Sequence, residues 1–129
     1  MCNDKDGQIN LNIEVLYVED KLVNQKVFSI MLENEGCNID VANNGKEAVE
    51  MAAKKKYDII FMDIQMPVMD GLTASRIISK EHENPPPIIA VTAYYDIIEK
   101  STLRENGIKD IIAKPYCVED IVNKLYAYA

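Results

Sequence analysis

At 129 residues, 48% hydrophobic and 27% charged, the chain has the size and composition of one folded domain, able to bury roughly two-thirds of its unfolded surface without staples. Fourteen basic against twenty-one acidic residues leave a net charge of -7, which repels nucleic-acid backbones and anionic membranes. No apolar run reaches the roughly 20 residues that cross a bilayer, and the polar start MCNDKDGQIN is unlike a signal peptide, so a cytoplasmic domain without membrane insertion or direct nucleic-acid binding is expected.

Residues 1–11 read as a flexible leader and 12–129 as the folded unit. A first apolar run, Ile13 to Val18, is followed by Val23, Val27, Ile30 and Met31 on one helical stripe, expected to pack on a sheet. Phe28 and Leu32 fall to one side of that stripe and read first as the edge of the core, with a docking surface for a helical partner as the lesser alternative. After the run Ile39 to Ala42, Asn43-Asn44-Gly45 opens a second helix, whose Lys54-Lys55-Lys56 suits a helix C-terminus. The run Asp58 to Met62 leads to Asp70-Gly71, which opens a third helix that Pro85-Pro86-Pro87 stops. His82, in the polar end of that helix, reads as a solvated surface residue. Ile88 to Val91 form a fourth run, Asn106-Gly107 closes a fourth helix, and Lys109 to Ala113 form a fifth run. Val118, Ile121, Val122 and Leu125 make a final helical stripe.

YDIIFMD and PIIAVT are continuously apolar rather than alternating, as strands buried on both faces of a parallel sheet are. The βα alternation therefore predicts an α/β fold, a doubly wound five-stranded parallel sheet with five helices, whose crevice lies at the carboxyl ends of the strands. Cys2, Cys37 and Cys117, odd in number and far apart, read as free thiols rather than a disulfide framework or zinc site.

Chemistry gathers where that crevice is expected. The first strand ends in Glu19-Asp20, the third in Asp63, the fourth in Thr92 and the fifth in Lys114-Pro115. Carboxylates brought together there repel one another unless a cation compensates, and Mg²⁺ suits oxygen donors, taking one or two carboxylates with waters and phosphate oxygens. Lys114 adds a positive charge and Thr92 a hydroxyl, both suited to phosphoryl oxygens. These parts fit phosphoryl transfer to a carboxylate, which asks for alignment and charge neutralisation more than for covalent chemistry.

VLYVED, FMDIQMPVMDG, IIAVTA and AKPY, in that order and each at a strand end, resemble the receiver domain of two-component response regulators. VEDKLVNQKV and MDIQMPVMDGLTA look especially like receivers of hybrid histidine kinases. The resemblance covers Ile13 to the end and implies a flavodoxin-like (βα)5 fold acting as a regulatory phosphoacceptor rather than an enzyme with its own substrate. It implies that Asp63 takes a phosphoryl group from a phosphohistidine of a histidine kinase or histidine phosphotransfer protein. Asp20 and Asp63 would hold Mg²⁺ with the backbone carbonyl of Gln65, and Glu19 would act through a water. Lys114 would contact the phosphoryl oxygens, Thr92 would move towards them, and the peptide before Pro115 is often cis. Phosphorylation would change protein contacts, a homodimer among them. The pattern departs at Ile111, where the family commonly carries a Tyr or Phe that rotates inward; Tyr94, Tyr95 or Tyr116 would have to supply such a ring.

Three rivals share parts of this pattern. An aspartyl phosphatase needs a second acid where Gln65 stands, and a flavin module needs phosphate-binding donors where Glu19 and Asp20 stand. A degenerate receiver that binds partners without phosphorylation is the alternative closest to the preferred reading.

Overall fold

A computed structural model describes residues 12–64, 70–93 and 98–129, so the leader assigned to residues 1–11 lies outside the described residues, as do Gln65, Tyr94 and Tyr95. The elements run β1 (Glu14–Val18), α1 (Leu22–Asn34), β2 (Asn38–Ala42), α2 (Gly45–Lys54), β3 (Ile59–Asp63), α3 (Gly71–Glu81), β4 (Ile88–Thr92), α4 (Lys100–Glu105), β5 (Ile108–Ala113) and α5 (Val118–Tyr128). All neighbouring strands are parallel, in the order β2-β1-β3-β4-β5. The order reverses at β1 and β3, which places the switch point between the strands that end in Glu19 and Asp63.

Successive strand residues point to opposite faces, and each face has its own core. Leu16, Val18, Ile60, Met62, Ile88 and Ala90 pack with Ala48 and Ala52 of α2, Ala74 and Ile78 of α3, and Leu103 of α4. Val15, Tyr17, Ile59, Phe61, Ile89 and Val91 pack with Phe28 and Leu32 of α1 and Ile121 and Leu125 of α5. Every residue of β3 and β4 is buried, as their unbroken apolar runs require. Among the described residues no helix is long and apolar enough to cross a membrane.

The turn chemistry is as expected. Asn44 caps α2 by accepting from the Glu47 amide at 2.9 Å, and Asp70 caps α3 by accepting from the Thr73 amide at 2.8 Å. Gly107 follows α4 with a positive φ of 82°, which a side chain would strain. Gly71 is needed for another reason. Its amide donates to the Ile64 carbonyl at 2.8 Å, and a Cβ there would collide with the Asp63 carbonyl oxygen and come within 2.8 Å of Ile64 Cα. Gly71→Ala is therefore expected to push α3 off the end of β3 and cost about 1–3 kcal/mol, read as a lower urea midpoint. An unchanged midpoint would show that the helix entry shifts freely.

Helix α1 faces the opposite way from the sequence expectation. Phe28 and Leu32 are fully buried against the sheet, whereas Val23, Val27 and Ile30 are 72%, 45% and 58% exposed; of the expected stripe, only Met31 packs on the core. The helix carries apolar residues on both sides, and the larger ring occupies the interior, stacked on Tyr17 at 3.8 Å between centroids. His82 is also corrected: it is half-buried at the end of α3, with Nε2 enclosed, beside Lys54, Lys55 and Tyr57 at the amino ends of the strands. Of the lysine run, Lys54 is the last residue of α2, while Lys55 pairs with Glu14 at 3.0 Å and Asp40 at 2.9 Å.

Candidate functional site

Strand register assembles the site. Val18 of β1 sits beside Met62 of β3, so Glu19 and Asp63 leave the sheet at one level. Asp63 pairs with Val91 and Thr92 with Ala113, and the Lys114 amide donates to the Thr92 carbonyl at 2.9 Å. Five residues distant in sequence thus meet at one edge: Glu19, Asp20, Asp63, Thr92 and Lys114. Glu19, Asp63 and Thr92 are buried and Asp20 is exposed. The Lys114–Pro115 peptide is cis, and Pro115 itself is exposed.

Carboxylate oxygens of Glu19, Asp20 and Asp63 lie within 4.8 Å of one another, a set of hard oxygen donors that could hold a divalent ion. Lys114 Nζ stands 3.5 Å from both Glu19 Oε1 and Asp63 Oδ2. Its single charge faces three acids, so the cluster stays net negative and suits a further cation.

Glu19 is held by several donors. Its Oε1 accepts from the Tyr17 hydroxyl at 3.1 Å and from Asn24 Nδ2 at 3.3 Å, and its Oε2 accepts from the Lys21 amide at 3.2 Å. Burial penalises the charge, but Lys114, the Lys21 amide and the Tyr17 hydroxyl outweigh it and hold the pKa below the usual carboxylate value. Gln25, buried on α1, donates to the Glu19 carbonyl at 2.5 Å and to Asn43 Oδ1 at 2.9 Å, fastening the β1–α1 turn to the loop after β2.

An aromatic stack backs the acids. Phe28 lies flat on Tyr17 and meets Phe61 and Tyr116 edge-on at 5.2 and 5.9 Å. Burial first, then the neighbouring Tyr116 and Glu19, drives the Tyr17 phenol far above its ordinary pKa, so it remains a neutral donor. Of the residues considered at sequence level as a replacement ring, Tyr116 is beside the site and Tyr94 and Tyr95 fall outside the described residues. Ile111 is half-buried on the other face of the sheet, against the core shared with α2, α3 and α4.

Sequence reasoning overlooked Tyr17, Asn24 and Gln25. A signal existed for the first: Tyr17 and Glu19 are two apart on an extended segment and therefore share a face. Nothing local points to Gln25, since a glutamine on a helix is ordinarily a solvated residue.

Residues 15–126 match the family model of the response regulator receiver domain. The chain belongs to that family. It is 41% identical over 121 residues to hybrid signal transduction histidine kinase B of Dictyostelium discoideum, covering 84% of this chain and 6% of the kinase. Its fold superposes with a TM-score of 0.83 on the receiver domain of sensor histidine kinase PA1611 from Pseudomonas aeruginosa PAO1, at 35% identity over 91% of this chain and 97% of that one. That structure has a magnesium ion coordinated in its active-site cleft. A co-crystal structure of the Saccharomyces cerevisiae histidine phosphotransfer protein Ypd1 with the Ssk1 receiver domain matches at a TM-score of 0.82 and 28% identity, over 91% of this chain and 88% of that one. The chain spans only 6%, 18% and 13% of three curated relatives it matches, which include transcription factor SKN7 of S. cerevisiae and the kinase BarA of Escherichia coli. It is thus a receiver domain of two-component signalling, a regulatory unit of phosphorelay systems with the five-stranded parallel fold expected of it.

Proposed function

We propose that Asp63 accepts a phosphoryl group from a phosphohistidine of a histidine kinase or histidine phosphotransfer protein, and that the acyl phosphate changes which proteins this receiver contacts. The observation that carries this reading is the placement of Asp63: a buried carboxylate at the switch point, 3.5 Å from a lysine and within 4.8 Å of two further acids. In the transfer an Asp63 carboxylate oxygen bonds to phosphorus, the phosphorus–nitrogen bond breaks, and the histidine nitrogen leaves with the bonding pair. Asp20 and Asp63, with the Gln65 carbonyl, would hold Mg²⁺, and Glu19 would orient a water on it. The ion supplies charge neutralisation between carboxylate and phosphoryl oxygens. Lys114 then exchanges Glu19 for a phosphoryl oxygen, and Thr92 turns its hydroxyl to another. About two added negative charges at Asp63 bias the end of β4 and the β5–α5 turn, to which Thr92 and Lys114 belong.

The test is intact mass after incubation with phosphoramidate. Wild type should gain one phosphoryl mass with Mg²⁺ present and little without it. A chain that never gains the mass would instead support the phosphorylation-independent interaction module.

The correction to α1 supplies a docking surface. Leu22, Val23, Val27 and Ile30 form an exposed apolar strip that begins two residues after Asp20, where a phosphohistidine must approach. A helical histidine-bearing protein is the occupant that the acceptor chemistry calls for, and a matched receiver is seen in complex with a histidine phosphotransfer protein. Val27→Glu is expected to leave uptake from phosphoramidate unchanged and to slow transfer from a phosphorylated histidine phosphotransfer protein about tenfold or more. Equal slowing with both donors would move the effect from docking to the site.

A further inference from the structure

Glu19 receives donors from Tyr17, the Lys21 amide, Asn24 and Lys114, and the one from the interior comes from a group that the site's chemistry does not require. Tyr17 has no exposed surface, its ring is stacked on Phe28 with an interplanar angle of 12°, and its hydroxyl donates to Glu19 Oε1. Tyr116 follows the Lys114–Pro115 peptide directly and leans edge-on against the same Phe28 ring. Ring packing on Phe28 therefore holds Tyr17 in place beneath the acid that faces Lys114.

We propose that Tyr17 is a positioning residue for the acidic site: its hydroxyl holds Glu19 Oε1 in the place from which it serves the metal-binding cluster. The inference rests on the reading of Glu19, Asp20 and Asp63 as a Mg²⁺ site. Both tyrosines are tied to Phe28 by ring contacts, so the hydroxyls are aimed by packing rather than left to rotate. This arrangement is a property of these particular side chains. A valine or leucine would keep the Tyr17 position apolar but would remove this donor, leaving Glu19 Oε1 to the more distant Asn24 and Lys114.

The experiment compares Tyr17→Phe and Tyr116→Phe, which keep the rings and remove only the hydroxyls, with wild type by calorimetric Mg²⁺ titration and by the phosphoramidate mass assay. Partners that orient a metal ligand change metal affinity about 10–100-fold when removed, and because Glu19 acts through a water the lower end applies. Tyr17→Phe should raise the Mg²⁺ dissociation constant about tenfold, and Tyr116→Phe, the control that keeps the donors of Glu19, should leave it within about twofold. In a Glu19→Gln background, Tyr17→Phe should change Mg²⁺ affinity no further, which a general loosening of the core would not predict. The chain has seven tyrosines and no tryptophan, so a Mg²⁺-dependent tyrosine difference spectrum reads the Tyr17 contact and should shrink in Tyr17→Phe but not in Tyr116→Phe. Mg²⁺ affinity within twofold of wild type in Tyr17→Phe, or an equal loss in the Glu19→Gln background, overturns the positioning role while wild-type phosphorylation keeps the parent reading intact. Absence of Mg²⁺ binding and phosphoryl uptake in wild type overturns both.

Discussion

Asp63→Asn is expected to take up no phosphoryl group from phosphoramidate and Mg²⁺ under conditions that label wild type fully, a loss on the order of 10³-fold or more. The substitution keeps size and shape, so β3 and its caps should stand, yet an amide oxygen is a far weaker nucleophile than a carboxylate. Among the described residues the other two acids of the site are differently placed. Asp20 is exposed, and Glu19 is held by Tyr17, Asn24, the Lys21 amide and Lys114, a set of donors that blunts its oxygens. The change also removes one of the acids of the cluster, so the rise in thermal midpoint expected for wild type with Mg²⁺, through binding to the folded state, should largely disappear in the variant. Wild-type labelling that persists in Asp63→Asn would place the acceptor elsewhere and overturn the assignment. A variant that fails to label and also unfolds in the absence of Mg²⁺ would point to a structural rather than a chemical role.

The strand ends were legible because two independent regularities agree there. Unbroken apolar runs such as Ile59 to Met62 specify buried parallel strands, and a parallel sheet sends all its carboxyl ends to one edge, so Glu19, Asp63, Thr92 and Lys114 had to meet. The caps at Asn44 and Asp70 were legible for a similar reason, since each side chain acts within three residues of itself. The orientation of α1 was not. Val23, Val27 and Ile30 repeat at helical spacing, but so do Gln25, Phe28 and Leu32, and periodicity alone cannot rank two stripes that both carry apolar residues. What decides is a contact between elements, the stacking of Phe28 on Tyr17 across β1 and α1, and no local pattern encodes a partner on another strand. Gln25 escaped notice on the same account: its two acceptors, the Glu19 carbonyl and Asn43, become neighbours only after β1 and β2 pair.

That contact gives the second large effect. Phe28→Ala is expected to destabilise the domain by about 3–5 kcal/mol, a large share of the roughly 5–15 kcal/mol typical of a whole domain. The ring has no exposed surface, and its removal leaves a void bounded by Tyr17, Phe61 and Tyr116, aromatic residues too large and too tightly placed to collapse into it. Three ring pairs vanish together, each worth about 0.5–1.5 kcal/mol beyond the area it buries. Val23→Ala, one and a half turns earlier on the same helix but 72% exposed, should stay within about 0.5 kcal/mol of wild type. Urea unfolding of the two variants side by side measures the difference, and similar midpoints would mean that the outward strip of α1, not Phe28, faces the core. The two substitutions should also part company in function. Val23→Ala trims the proposed docking strip and should leave Mg²⁺ affinity alone. Phe28→Ala, even in the fraction that remains folded, frees the Tyr17 ring on which the Glu19 oxygen depends and should weaken Mg²⁺ binding in the direction of Tyr17→Phe.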